Sequence, residues 1–310
     1  MSKPAISGSS KAGSEWPRSG PVGTFSGDVE LQVDRYADAG AFLKAAEPWL
    51  TRAEVENNVM LTIASSIADG TRTLKEPPYF AAAVVGSEID CCASRTPPHN
   101  MLVTNGTPRG LAALAADAFG AFGRLPGVNG PRQAAVGFAE AWLALAGGRA
   151  TISMQQRLHR IECVNADLPA IQGRLREATS SERDLAVEWA LAFVREAIPN
   201  YPNEAEDSVD RHLRAGTLYF WDHGGPVTMC ASVGGARTSA RINLVYTPPV
   251  LRRQGYATAV VSALTRRLLD SGSRYCCLYT DLANPTSNSV YRRIGYQPVC
   301  DIDQYSFAES

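Results

Sequence analysis

The sequence contains little that points to a membrane, to nucleic acid or to a metal. Its 310 residues include no apolar run near the ~20 residues that a membrane-spanning helix needs. Thirty Lys and Arg stand against 31 Asp and Glu, so no overall field attracts nucleic acid or an anionic lipid surface. The four histidines have neither metal-ligand nor triad spacing. We therefore predict a protein that binds no nucleic acid, no membrane and no metal.

Cysteine spacing also argues against zinc and redox chemistry. The seven cysteines include no Cys-x-x-Cys, and two pairs are adjacent, Cys91–Cys92 and Cys276–Cys277. Neighbours on a strand point to opposite faces of a sheet, so the members of each pair belong to different layers of packing. We predict that all seven are buried packing residues in a reducing cytoplasm.

The first 27 residues differ in composition from the rest. Met1 to Gly27 is rich in Ser, Gly, Pro and Lys and lacks the apolar segment of a secretory signal. This composition buries little apolar surface, so we predict a disordered leader over residues 1–27.

The remaining chain has the same order of elements twice. Each half reads as a strand, helices, a hairpin, a strand, a helix, a strand, a helix and a strand. In the first half Leu111–Phe122 and Pro131–Ala146 are the predicted late helices, each followed by glycine. The repeated order predicts two tandem copies of one α/β fold, over residues 28–167 and 168–310.

A loop in the second half has the chemistry of an anion site. After the strand that ends in Val245-Tyr246-Thr247, two prolines precede Arg252-Arg253-Gln254-Gly255-Tyr256-Ala257, which opens an amphipathic helix. First-turn amides of a helix lack internal acceptors, and the helix dipole favours negative charge there. Gly255 permits close approach of a ligand to the backbone.

A second motif follows one helix and one strand later. Asn284 suits an N-cap, Pro285 the first helical position and Gly295 the position after the last turn. On this short helix Ser287 and Tyr291 lie one turn apart, on the face of Asn284.

Together the two motifs resemble the GNAT superfamily of acyl-CoA-dependent N-acetyltransferases. Arg252-x-x-Gly255-x-Ala257 resembles its pyrophosphate loop, and Asn284-x-x-Ser287-x-x-x-Tyr291 followed by Gly295-Tyr296 resembles its second signature. The resemblance covers about Leu175 to Phe307. It implies a mixed α/β fold, two tandem GNAT-like domains, each with a mixed, mostly antiparallel sheet flanked by helices.

The resemblance also implies roles for individual residues. The backbone of Val245, Tyr246 and Thr247 would pair with the pantetheine arm of acetyl-CoA. The amides from Arg252 to Ala257, through Arg253, Gln254, Gly255 and Tyr256, would hold the pyrophosphate. Asn284 and Ser287 would lie near the thiol end, and Tyr291 would protonate the departing thiolate. A phenol with a pKa of ~10 is suited to that proton transfer.

The general base stays open at this stage. Many relatives carry a glutamate on the strand before the loop, where this chain has Asn243, which cannot accept a proton. Asp281, at the end of the following strand, is the first candidate. Glu204, Glu206 and Asp207 are alternatives, and water is another.

The first half lacks both signatures. Its corresponding loop runs from Thr104 to Leu111, and Pro108 removes an amide where donors would be needed. We therefore predict a degenerate first copy with a structural or acceptor-shaping role.

Two functions are compatible with the sequence. The first is acetyl transfer from acetyl-CoA to an amine of a small molecule or a protein, by a monomer or homodimer in the cytoplasm. The second is a catalytically silent acyl-CoA-binding or regulatory module.

Overall fold

The computed structural model describes residues 30–198, 204–234 and 237–309. From Leu31 onward the described residues form one compact unit. The predicted disordered leader lies outside the described residues. Within these three stretches no helix is both long and apolar enough to cross a membrane.

Twelve strands and eight α-helices follow one another in the described part of the chain. The strands are β1 (Leu31–Arg35), β2 (Tyr79–Val85), β3 (Glu88–Arg95), β4 (Met101–Val103), β5 (Gly127–Pro131), β6 (Arg149–Ile161), β7 (Arg174–Glu177), β8 (Leu218–Asp222), β9 (Pro226–Val233), β10 (Ser239–Tyr246), β11 (Tyr275–Asp281) and β12 (Gln297–Ala308). The helices are α1 (Ala39–Leu50), α2 (Asn58–Ala68), α3 (Pro108–Phe122), α4 (Arg132–Ala146), α5 (Arg183–Ala197), α6 (Ala205–Ala215), α7 (Tyr256–Asp270) and α8 (Pro285–Ile294).

All described strands belong to one sheet, in the order β1-β2-β3-β4-β5-β12-β6-β11-β10-β9-β8-β7. Neighbours are antiparallel except for two parallel pairs, β4 with β5 and β10 with β11. Each half contributes the same succession of strands and helices, so the predicted repeat of a mixed, mostly antiparallel sheet flanked by helices is confirmed. The proposed limits 28–167 and 168–310 stay a prediction, since the sheet is continuous across both halves.

The two halves exchange their last strands. β12, from the second half, pairs with β5 and with β6, while β6, from the first half, pairs with β11. Each half therefore completes the sheet of the other. This exchange of strands is not predicted from the sequence.

The helices cover both faces of the sheet. On one face α3 and α4 pack over the first half and α7 and α8 over the second. On the other face lie α1 and α2, then α5 and α6. The alternation of apolar residues in β2 shows the principle: Phe80 and Ala82 face α1 and α2, whereas Tyr79 and Ala81 face α3.

Five of the seven cysteines are buried as predicted. Cys91 and Cys92 point to opposite faces, into the α3–α4 core and the α1–α2 core respectively, and Cys276 and Cys277 also enter different cores. The prediction is wrong for two others. Cys163, beyond the end of β6, is exposed, and Cys300, on β12, is only partly covered.

Polar contacts of the segment before and within α2 connect the two halves. The nearly buried carboxylate of Glu54 accepts hydrogen bonds from the backbone amides of Thr238 and Ser239 at 2.8 and 2.7 Å. The Asn58 side chain donates to the Tyr279 hydroxyl at 2.9 Å and accepts from Arg241 at 3.2 Å. The first half thus packs directly beneath β10 and β11.

Candidate active site

A wedge opens between the two parallel strands of the second half. β10 and β11 pair only where Ser239–Arg241 faces Tyr275–Cys277. Beyond Arg241 the strands diverge, so the last part of each has no partner on that side. Diverging strands leave backbone groups that an extended ligand can pair with.

An irregularity in β10 accompanies the divergence. The pairing with β9 shifts between Asn243 and Tyr246, and Leu244 lies in the left-handed region with a φ of 49°. A bulge of this kind bends a strand and increases its twist. The Tyr246 carbonyl accepts from the Thr228 hydroxyl on the β9 side. Because backbone groups alternate along a strand, we expect the polar groups of Val245 to point the other way, toward the wedge.

The loop after β10 presents a row of free backbone donors. A single helical turn, Pro249–Leu251, uses the Arg252 amide, which donates to the Pro249 carbonyl at 3.3 Å. The amides from Arg253 to Ala257 find no acceptor in the described part of the chain. Arg253 and Gly255 both have positive φ, 65° and 84°, which turns successive N–H groups toward one side. This is the geometry of an anion-binding site at the N-terminus of α7.

The two arginines of the loop lie in different surroundings. The Arg252 guanidinium donates to the Thr247 carbonyl at 2.9 Å and to the Glu196 carboxylate at 2.7 Å. It also lies over the Tyr246 ring, 5.8 Å from the centroid. Arg253 is exposed, so its side chain is the one available to a bound anion.

The second motif forms the helix that the sequence predicts. Asn284 caps α8, because its side chain accepts from the Ser287 amide at 3.0 Å, and Gly295 ends the helix with a φ of 116°. Asn288 ties this helix to β11 through the Thr280 hydroxyl at 2.7 Å and the Asp281 carbonyl at 3.0 Å. The helix is therefore fixed to the strand that forms one side of the wedge.

Tyr291 points into the core between α7, α8 and the sheet. It is 8% exposed and packs edge-on against Tyr296, with ring centroids 6.0 Å apart. Burial raises the pKa of its hydroxyl well above the usual value, and the neighbouring Cys230 thiol adds to the effect. Its hydroxyl has no hydrogen-bond partner among the described residues. The Tyr291 hydroxyl therefore stays protonated at neutral pH, and it can donate a hydrogen bond to a ligand.

Asp281 lies where β11 ends. One carboxylate oxygen accepts from the Ala283 amide at 2.8 Å, and the side chain lines a cavity of about 430 Å³. Glu196, in the last turn of α5, lines the same cavity and was not singled out by the sequence analysis. Nothing in the local sequence distinguishes Glu196, because its place depends on how α5 packs on α6 and β10, which sets the end of the helix across the cavity from β6 and β12.

The alternative carboxylates before α6 have other partners. Glu204 pairs with His99 at 2.9 Å and lies 3.9 Å from Arg72, both in the first half. Glu206 lies 3.7 Å from Arg183. Neither these two nor Asp207 lines the cavity at Asp281. Which group acts as base stays a prediction, with Asp281 the candidate that this cavity favours.

The corresponding loop of the first half is closed by its own side chains. The Asp90 carboxylate accepts from the Thr107 amide at 3.2 Å and from the Thr107 hydroxyl at 2.6 Å. Thr107 in turn caps α3 by accepting from the Gly110 amide at 3.1 Å. A Cβ at Gly110 would lie 2.0 Å from the Asp90 carboxylate. A carboxylate thus occupies the place where a phosphate would be needed, which supports the predicted degenerate first copy.

Comparison with known proteins gives the second half a family match and the whole chain a fold. Residues 223–306 match the family model described as FR47-like protein. No curated protein sequence matches the chain at a significant level.

Three solved structures illustrate the likeness. An acetyltransferase of the GNAT family from Colwellia psychrerythraea superposes with a TM-score of 0.57 at 12% identity, over 89% of this chain and 100% of its own. A GCN5-related N-acetyltransferase from Sphaerobacter thermophilus gives 0.52 at 16%, over 89% and 94%. A tandem GNAT protein from the clavulanic acid biosynthesis pathway gives 0.50 at 11%, over 90% and 98%. At these identities the likeness establishes the fold, and the predicted tandem arrangement is confirmed.

Proposed function

We propose that this chain, which has the tandem GNAT fold and matches the FR47-like family over residues 223–306, is an acetyl-CoA-dependent N-acetyltransferase. The observation that carries the proposal is the row of free amides from Arg253 to Ala257 at the mouth of the β10–β11 wedge. The pyrophosphate of acetyl-CoA would match the row of free amides. Its extended pantetheine arm would match the wedge.

The residues of the second half fit acetyl-CoA. The free amides and the exposed Arg253 side chain suit two linked phosphates, since charge-assisted bonds to backbone N–H groups are strong. The inward-facing polar groups of Val245 suit the amides of the pantetheine arm. Asn284 and Ser287, at the start of α8, lie at the β11 side of the wedge.

Tyr291 would act as general acid. The acetyl thioester supplies an activated carbonyl carbon. Attack by the amine nitrogen on that carbon forms the C–N bond, and the C–S bond breaks. Tyr291 donates its proton to the departing sulfur, and Asp281 or water takes the proton that the amine loses. Tyr291 then recovers a proton from solvent.

Replacing Tyr291 by Phe tests this assignment. We expect kcat to fall by about 100-fold, the lower end of a typical general-acid contribution, with little change in CoA affinity. Because burial raises the pKa of Tyr291, the wild type should show no alkaline loss from this group below about pH 10. CoA release with a panel of amines gives kcat, and calorimetry gives the affinity.

The same panel separates the enzyme from a silent acyl-CoA-binding module. Binding of CoA without turnover of any amine, and with no effect of Tyr291→Phe on any property, would support the silent module. Tyr296→Phe is a suitable control, because its hydroxyl bonds to Thr265 at 2.8 Å and faces the core. It should lower stability without a selective loss of kcat.

The closed loop of the first half predicts one cofactor site per chain. The Asp90 carboxylate repels phosphate at the start of α3, and Pro108 provides no amide. Calorimetric titration with CoA should give a stoichiometry of one. Two equivalent sites would contradict the assignment of the first copy as degenerate.

A further inference from the structure

The cavity at the end of β11 is built by both halves of the chain. One wall is formed by the β6 residues Ile152, Ser153 and Met154, and β12 contributes Gln304. The opposite side consists of the end of α5 and the turn after β11, with Glu196 and Asp281 as its charged side chains. Its volume of about 430 Å³ lies within the range of sites for small molecules.

Asp281 is the last residue of β11, the strand that forms one side of the wedge, and its side chain lines this cavity. It pairs with Gln156 of β6, two residues beyond the pair formed by Tyr279 and Leu158. Leu158 packs with Val55 of the α1–α2 connection, so this row of side chains lies on the face of the sheet opposite α7 and α8. Asp281 therefore lies on the face of the sheet opposite the core that holds Tyr291.

One oxygen of Asp281 remains available to a ligand. Its Oδ1 accepts from the Ala283 amide, while no donor among the described residues bonds to Oδ2. The Gln304 side-chain amide likewise has no partner in the part of the chain that the structure covers. The cavity thus offers a ligand two groups: the Asp281 carboxylate, which accepts hydrogen bonds and is negatively charged, and the Gln304 amide, which both donates and accepts hydrogen bonds.

Glu196 contributes little to the stability of its helix. A carboxylate in the last turn of α5 faces the negative end of the helix dipole, which is mildly unfavourable. Its bond to Arg252 leaves it half exposed, and such pairs contribute little to stability. Arg252 belongs to the phosphate loop, so Glu196 connects that loop to the cavity wall.

The apolar part of the cavity limits the size and nature of a ligand. Ile152 is half exposed although it pairs with Tyr305 within the ladder formed by β6 and β12. Met154 and Ile198 also line the cavity and present apolar surface. A ligand with a short aliphatic or ring-shaped body would cover this surface while its polar groups reach Asp281 and Gln304.

We propose that this cavity is the acceptor site and that the acceptor is a small aliphatic amine carrying at least one further hydrogen-bonding group. The proposal rests on the proposed function and goes beyond it, because it selects a free small molecule over a protein amine. Asp281 and Glu196 attract the ammonium form from solution, and Gln304 binds the second polar group. The ammonium gives one proton to Asp281 or to water before its nitrogen attacks the thioester, and the second proton leaves to water once the C–N bond has formed. Ile152 and Met154 contact the body.

Steady-state kinetics with matched variants tests this assignment. In Glu196→Gln the side-chain oxygen can still accept from Arg252, but the negative charge of Glu196 is lost. The KM for the amine should therefore rise about ten-fold, the effect of losing one charged contact. The KM for acetyl-CoA should not change. Glu188→Gln, an exposed carboxylate on the same helix and outside the cavity, is the control and should behave as the wild type.

The choice of substrates separates small molecules from proteins. Short diamines, amino alcohols and amino sugars are compared with a lysine-containing peptide and with simple alkyl amines of equal length. We expect turnover of the free polar amines, and Gln304→Ala should reduce their advantage over the simple alkyl amines. Turnover confined to the peptide, or an amine KM that ignores Glu196→Gln, would overturn the proposal and leave the acetyltransferase assignment intact.

A second readout covers the case in which no amine is turned over. Saturation-transfer NMR of the same amines with the CoA-bound protein reports binding directly. Binding that Glu196→Gln and Asp281→Asn weaken supports the cavity as an amine site even if the proposed transfer reaction fails. Absence of binding for every amine contradicts the cavity assignment itself.

Discussion

Deleting β12 is expected to unfold both halves of the protein. The strand pairs along its length with β6 and over five residues with β5, which belong to the first half. Its Phe307 stacks on Trp142 of α4, and Ile302 packs with Leu158 and Cys277. A chain that stops at Tyr296 should lose the cooperative thermal transition seen by circular dichroism and should aggregate on size-exclusion chromatography.

Folding of the shortened chain would show that the strand exchange is not required for stability. If the shortened chain still binds CoA and melts in one transition, β12 is dispensable and the second half is self-contained. A chain lacking only residue 309 onward serves as the control, since it retains every ladder pair of β12. It should melt close to the full-length chain.

Separate expression of the two predicted domains extends the test. Residues 30–167 keep β6 but lack β12, whereas residues 168–310 keep β12 but lack β6. Neither fragment can complete its own sheet, so each alone should be unfolded or aggregated, because unpaired sheet edges promote association. Mixed and refolded together, they should recover CoA binding. Independent folding of either fragment would contradict this expectation.

A Gly255→Val substitution should abolish cofactor binding. The residue has a φ of 84°, which side-chain-bearing residues avoid at a cost of about 1–2 kcal/mol, and a Cβ there would lie 2.8 Å from the Ile171 side chain. Relief of both strains turns the neighbouring amides away from the anion site. Loss of two charge-assisted bonds would weaken CoA binding by about 100-fold or more. Calorimetry measures the affinity, and turnover should fall with it.

Gly272→Val is the matched control, at the opposite end of α7. Gly272 also has a positive φ, 107°, but no atom lies within 4 Å of the Cβ that would be added. Both variants should lose a similar amount of thermal stability from backbone strain. A selective loss of CoA binding in Gly255→Val identifies the loop, whereas equal loss in both would indicate general destabilisation.

Local signals in the sequence were sufficient to predict the helix and the strand of the second half that border the proposed cofactor site. Asn284, Pro285 and Gly295 are strong signals for the two ends of a helix, and α8 has the predicted bounds. The strand predicted to end at Asp281 is β11, which ends at that residue. These elements follow from capping chemistry and β-branched or aromatic content, which act over a few residues.

β5 shows what such signals miss. Its sequence, Gly-Val-Asn-Gly-Pro, has the composition of a turn, so only the repeated order of elements, and no local signal, predicted a strand between the two late helices of the first half. The structure explains the glycines: a Cβ at Gly127 would lie 1.9 Å from the Tyr305 carbonyl, and one at Gly130 would lie 2.6 Å from the Val103 carbonyl. Close approach of neighbouring strands requires glycine here, and that requirement comes from tertiary structure.

The acceptor side could not be predicted for a related reason. Glu196, Gln304 and Ile152 come from α5, β12 and β6, and they meet only because the halves exchange strands. The order of elements predicts two similar halves, but it is equally compatible with halves that keep their own last strand. Register and pairing between distant strands therefore decided the part of the site that selects the substrate.

The exchange also governs when this protein can acquire its structure during synthesis. The first half emerges from the ribosome with β5 and β6 lacking the strand that lies between them, and Ile302 must return to pair with Pro131 across more than half of the chain. Contacts of such long range form slowly. Until residues 297–308 have been made, the nascent first half exposes two unpaired edges that associate readily with other chains. Chaperones that shield those edges are therefore expected to raise the yield of folded protein.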